Sequence, residues 1–117
     1  PVWEHKTIYE GMEFTKQNYD AVAKKYPNKL IVITEAGWAT QSNGYGIPVE
    51  NVNNEVQKIY YKALSHWSES ETILTFVFEA FDEPWKGSSD PKEPEKHWGL
   101  YTVDRAPKLA MQPIGYK

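Results

Sequence analysis

A chain of 117 residues, 40% hydrophobic and 25% charged, is long enough to bury a core and too apolar to be disordered. Its net charge of -3 comes without a basic run or stripe, which argues against a phosphate-tracking surface for nucleic acid. The absence of cysteine excludes a disulfide framework and a thiolate metal site but leaves the compartment open, and the longest apolar runs fall far short of a membrane span.

From Tyr9 to Tyr26, the residues Met12, Tyr19, Val22, Ala23 and Tyr26 follow helical spacing, and Pro27-Asn28 stops the pattern. Leu30 to Thr34 is then an apolar, β-branched run that ends on Glu35-Ala36-Gly37-Trp38. That is the layout of a buried parallel strand delivering a carboxylate to a pocket mouth. Trp38 to Val49 reads as a loop rich in Ser, Asn, Gly and Pro. After it, Val52, Val56, Ile59, Tyr60, Ala63, Leu64 and Trp67 mark one face of an amphipathic helix, with Asn51 as its expected N-cap. A second strand, Thr72 to Phe78, leads into Glu79, Asp82, Glu83, Trp85 and Lys86. Lys86 to Lys96 reads as a polar loop, rigid where Pro91 and Pro94 punctuate it, and His97 to Val103 follows.

Helices alternating with fully apolar strands predict the α/β class, with right-handed βα units on a parallel sheet that is open or closed. Two strands do not close a barrel. A complete eight-stranded barrel takes about 250 residues, so a barrel architecture would make this chain its last part.

Glu35 falls at the C-terminal rim, where parallel α/β proteins place catalytic groups. Alone, it reads more readily as a turn cap or the partner of a surface lysine. Two neighbouring strands that offer carboxylates to one rim, Glu35 from the first and Glu79, Asp82 and Glu83 from the second, shift the reading toward paired acid chemistry. Lys86 beside that cluster would hold a carboxylate ionised, unless it is a solvated loop lysine. Aromatics make up 15% of the chain and many fall at strand ends and loops, where flat ligands such as sugar rings are read. Trp38, Trp85 and Trp98 are therefore either sugar-stacking surfaces or lids on the core. His5, His66 and His97 lack metal-ligand spacing, and no glycine-rich nucleotide motif or serine-nucleophile motif occurs. No metal or cofactor is expected.

Ile33-Thr34-Glu35-Ala36-Gly37-Trp38 resembles the nucleophile motif of glycoside hydrolase family 17, the β-1,3-glucanase family, with Ala36 where that motif commonly has Thr. Phe78-Glu79-Ala80-Phe81-Asp82-Glu83-Pro84-Trp85-Lys86 resembles the family's segment at the end of the eighth barrel strand, in its bacterial and fungal form. Glu95, ahead of Trp98-Gly99-Leu100-Tyr101, matches a further cleft glutamate. The resemblance runs from the helix before Leu30 to Pro107-Lys108.

The resemblance implies the C-terminal portion of a TIM (β/α)8 barrel, about its last two βα units, with residues 1–117 as a single partial domain. Glu35 would be the nucleophile of a retaining hydrolase acting on β-1,3-glucan, and Glu83, Lys86 and Glu95 would bind substrate, with Trp38, Trp85 and Trp98 as subsite walls. The family's general acid belongs to an Asn-Glu motif on the fourth strand, which is expected upstream; Asn54-Glu55 is a chance dipeptide within the predicted helix. The chain alone is therefore expected to be inactive and to need the missing N-terminal barrel segment, with self-association through its open sheet edge. The alternatives are a β-1,3-glucan transglycosylase using the same intermediate, and a non-catalytic carbohydrate-binding module. The partner is a β-glucan polysaccharide or oligosaccharide, and the expected location is secreted, periplasmic or cell-wall associated.

Overall fold

Helix α1, Ile8–Lys25, opens the part of the chain that the computed structural model describes, residues 7–113. Its N-terminus is held by Glu10, whose carboxylate accepts from the backbone N–H of Thr7 at 3.0 Å, and Lys24 and Lys25 complement the dipole of the last turn. Pro27 follows the C-cap, Tyr26. Helix α2, Asn54–Ser70, buries Gln57, Tyr60, Leu64 and Ser68, a stripe at helical spacing. Its N-cap is Asn53, whose Oδ1 accepts from the N–H of Val56 at 2.8 Å, and not Asn51. Asn51 ends a short 3-10 turn, 49–51, and its carbonyl accepts the indole N–H of Trp38 at 2.8 Å. Ile59, expected on the buried face, is exposed.

Strands β1, Ile33–Ala36, and β2, Thr75–Val77, pair in parallel across the α2 crossover, giving the expected helix-strand-helix-strand order. β1 starts three residues later than the apolar run Leu30 to Thr34, and β2 is shorter than Thr72 to Phe78 at both ends. Residues 30–32 and 72–74 lie outside the strands, although the Leu74 carbonyl accepts the Ile33 N–H at 3.0 Å, and each strand has one partner among the described residues. Ile33 aligns with Thr75 and Ala36 with Val77, so β1 carries one residue more than β2 between the two pairs, an irregularity that loosens the ladder. β1 also extends further than expected, with Glu35 inside the strand.

The core gathers on one side of this sheet. Trp38, Ala39, Ile47, Val52, Tyr60, Leu64 and Trp98 cluster there, with Trp38 and Tyr60 rings 5.0 Å apart. The loop after β1 thus folds back onto α2 and fills the core that the two short strands cannot. Leu30, Leu74 and Phe76 remain exposed, so the described sheet has uncovered apolar residues.

Candidate active site

The site forms where the two parallel strands end. The N–H of Phe78 donates to the carbonyl of Ala36 at 2.8 Å, so Glu35 and Glu79 flank a single strand-to-strand contact at the C-terminal end of the sheet. Gly37 makes this approach possible, because a Cβ there would lie 1.7 Å from the Phe78 carbonyl oxygen. On its other side, residues 79–82 are held by the segment after the polar loop. Glu79 donates its N–H to the Trp98 carbonyl at 3.2 Å, Leu100 donates to Glu79 at 2.9 Å, and Tyr101 donates to Ala80 at 2.8 Å.

On this frame sits a cluster of carboxylates around one ammonium. Lys86 forms an ion pair with Glu83, lies 3.6 Å from Glu79, and sits over the Phe78 ring at 4.9 Å from its centroid. The other edge of that ring region packs on Trp98, centroids 6.0 Å apart. The hydrogen bond to Glu83 raises the Lys86 pKa, reinforced by the charges of Glu79, Glu83 and Glu95. The same bond holds Glu83 below the usual carboxylate range. Glu79 behaves oppositely: burial first, then its contact with Glu83, pushes it up to about 7. Its side chain is 16% exposed, and Oε1 is buried without a hydrogen-bond partner.

Two buried lysines tie this loop down. Lys96 Nζ donates to the carbonyls of Pro84, at 3.0 Å, and Lys86. Lys108 Nζ donates to Asp82 at 2.7 Å and to Thr40 Oγ1 at 2.9 Å, linking the end of the chain to both strand ends. Burial lowers the Lys108 pKa, against the pull of Asp82. Asp82 also accepts the Gly99 N–H at 2.9 Å, so its carboxylate is spent on holding the frame.

The structure thus pairs Glu83 with Lys86, lets Glu95 act on Lys86 through its charge alone, and adds Glu79, which composition and spacing had not singled out from the other acids. Glu35 leaves the same end of the sheet, exposed, and makes no hydrogen bond or ion pair among the described residues; it borders a cavity of about 280 Å³ with Thr15, Tyr19 and Tyr60. The three tryptophans separate. Trp38 is 1% exposed and faces the core, so it has no free ring face for a sugar, which corrects its expected role as a wall. Trp98, 7% exposed, is also a core residue beneath Phe78, and its indole N–H is buried without a partner. Trp85 is 70% exposed and borders a groove of about 390 Å³ with Pro84, His97, Thr102 and Val103. His5 lies outside the described residues. Among the described residues no group of three metal-ligating side chains occurs, and no helix is long and apolar enough to cross a membrane.

The BtgE/BtgC glycoside hydrolase domain matches residues 1–99. A glucan 1,3-beta-glucosidase of Arthroderma benhamiae is 32% identical over 92% of this chain and 38% of its own length. Among solved structures, an active-site mutant of the Rhizomucor miehei beta-1,3-glucanosyltransferase in complex with laminaritriose superposes with a TM-score of 0.81 at 26% identity, over 96% of this chain and 40% of that one. An endo-laminarinase from Formosa Hel1_33_131 gives 0.82 at 34% identity, over 89% and 28%. The chain therefore spans less than half the length of these relatives, and its helix-strand-helix-strand unit is a part of their barrel architecture. With its paired strand ends, its Glu-Ala-Gly-Trp turn and its domain match all in agreement, the chain belongs to the family 17 glycoside hydrolases, in the BtgE/BtgC glycoside hydrolase domain group.

Proposed function

We propose that this chain carries the nucleophile half of a retaining glycoside hydrolase site acting on β-1,3-glucan. Glu35 attacks the anomeric carbon to form a glycosyl-enzyme, and a second carboxyl group, from a barrel segment outside residues 1–117, protonates the leaving oxygen and then activates water. Glu83, Lys86 and Glu95 orient sugar hydroxyls beside the bond being cleaved, and Trp85 offers the one open indole face of the three candidates. The observation that carries the reading is the parallel register of β1 and β2, which brings Glu35 and the acid–lysine cluster out at the same end of the sheet. Residues 1–117 then form about two βα units of a barrel, and its remaining strands cover Leu30, Leu74 and Phe76. A chain without them exposes that face, self-associates and does not turn over. A glucan polymer is met outside the cytoplasm, which supports a secreted, periplasmic or cell-wall location.

The experiment is laminarin cleavage by the full-length protein and its Glu35→Gln variant. The amide keeps the shape of the side chain but cannot form the glycosyl-enzyme, so turnover falls by several orders of magnitude while laminarin affinity is kept. Near-normal turnover in Glu35→Gln would refute the assignment. The Rhizomucor glucanosyltransferase, superposing over 96% of this chain, favours transfer to a sugar acceptor as the second reading. Products longer than the substrate identify transfer, and shortened chains alone identify hydrolysis.

A further inference from the structure

We propose that Glu79 is a positioning residue of this site, held as a neutral carboxylic acid that donates its proton to Glu83, so that Glu83 meets Lys86 as a single, fixed carboxylate. The inference rests on the β-glucan reading above. Its basis is geometric. The carboxyl groups of Glu79 and Glu83 both close on the one ammonium of Lys86, Glu79 at 3.6 Å and Glu83 as its ion-pair partner. Two ionised carboxylates have only acceptors to offer one another, so a pair crowded on one ammonium is satisfied by sharing a proton. Burial decides which side holds it. Glu79 is the more enclosed of the two, 16% exposed against 24%, and its Oε1 lacks a donor, whereas Glu83 has the ammonium of Lys86 against it. The electrostatics agree in direction: Glu79 is raised to about 7 and Glu83 is lowered.

Several charges bear on Glu79. Glu83 and Lys86 come from its own loop, Glu95 acts on Lys86 from the 3-10 turn at 94–96, and Lys108 approaches from the C-terminal segment already paired with Asp82. β1 brings Glu35 to the same end of the sheet. With Glu79 neutral, the one ammonium of Lys86 is matched by Glu83, and the residual negative charge at this rim is smaller by one. Loss of the proton to solvent puts a second carboxylate 3.6 Å from Lys86, breaks the carboxyl–carboxylate bond and frees Glu83 to move. The rim then carries more negative charge beside the nucleophile, and substrate alignment is lost.

The test compares full-length wild type with Glu79→Gln and Glu79→Ala. Glutamine donates a hydrogen bond as the neutral acid does but cannot ionise. The ratio of Glu79→Gln to wild-type kcat/KM on laminarin is expected to rise about tenfold from pH 5 to pH 8, where a group with a pKa near 7 is mostly ionised. Glu79→Ala, lacking the donor, is expected to lose kcat at both pH values. A pH-independent ratio of Glu79→Gln to wild type, or a Glu79→Gln loss that deepens above pH 7, overturns the proposal. Carbon-13 NMR titration of the glutamate carboxyls supplies a readout independent of turnover. One carboxyl that titrates near neutral pH in wild type and vanishes in Glu79→Gln supports the proton assignment even if laminarin is not the substrate. Its absence overturns the assignment even if laminarin is cleaved.

Discussion

Lys108→Met tests whether the frame under the site depends on a buried charge pair. Lys108 and Asp82 are 7% and 14% exposed at their side chains, 2.7 Å apart, and Lys108 also donates to Thr40 Oγ1 at 2.9 Å and to the His97 carbonyl at 3.4 Å. Methionine keeps the aliphatic stem but removes every one of these bonds. Asp82 is then left with the Gly99 N–H, 2.9 Å away, as its remaining donor among the described residues. Breaking a buried pair from one side costs about 3–5 kcal/mol, because the surviving charge stays desolvated, and the residual exposure of Asp82 points to the lower end. Urea unfolding of the full-length protein, followed by tryptophan fluorescence, should show this as a midpoint shift of about 1–3 M, given a slope of about 1–3 kcal/mol per M. Adding Asp82→Asn to Lys108→Met should recover part of the loss, since the uncompensated carboxylate is gone. A cost below about 1 kcal/mol, the value of an exposed pair, or strict additivity in the double mutant, would refute the reasoning.

Trp38→Ala should lower stability by about 3–5 kcal/mol in the same unfolding assay, as expected for emptying a core site, whereas Trp85→Ala should leave the midpoint unchanged and weaken laminarin affinity; the opposite pattern would reverse their roles. Glu79 gives stability a pH dependence: its folded pKa of about 7 lies above the unfolded value of 4.5, so the native state binds the extra proton between them. Its contribution is complete below that window and is lost as pH rises through it, and Glu79→Gln should flatten this fall in denaturation midpoints measured from pH 4.5 to 8.

What could be read from the chain and what could not divide along physical lines. The two helices are legible because their apolar stripes repeat within one element, and the strands are legible as β-branched runs leading to acids, but their ends are not, since β1 runs through Glu35 to Ala36 and β2 stops at Val77. The N-cap was misplaced because Asn51, Asn53 and Asn54 crowd into four residues, and the choice among them depends on where the indole of Trp38 finds a carbonyl, a contact across 13 residues. The same distance effect hid the fates of the tryptophans. Trp38 and Trp85 both follow strand ends, yet the turn after β1 folds back onto Tyr60 of α2, while the loop after β2 is held outward by Lys96 through the carbonyls of Pro84 and Lys86.

Lys96 and Lys108 left no signal at all, since a lysine among loop residues reads as solvated until backbone carbonyls and an aspartate from other segments close around it. Glu79 lies between these cases. Its position two residues past β2 marks it as a rim acid, but nothing local distinguishes it from Asp82 or Glu83. Its difference comes from neighbours: Phe78 hydrogen-bonded back to β1, the 98–101 segment pairing on its other side, and Glu83 turned toward Lys86. Three acids within five residues thus take three tasks, with Asp82 anchoring Lys108, Glu83 pairing Lys86, and Glu79 half-buried 3.6 Å from Lys86. Residue type sets what each carboxyl is able to do; the hydrogen bonds that reach it from elsewhere in the fold decide which of those tasks it performs.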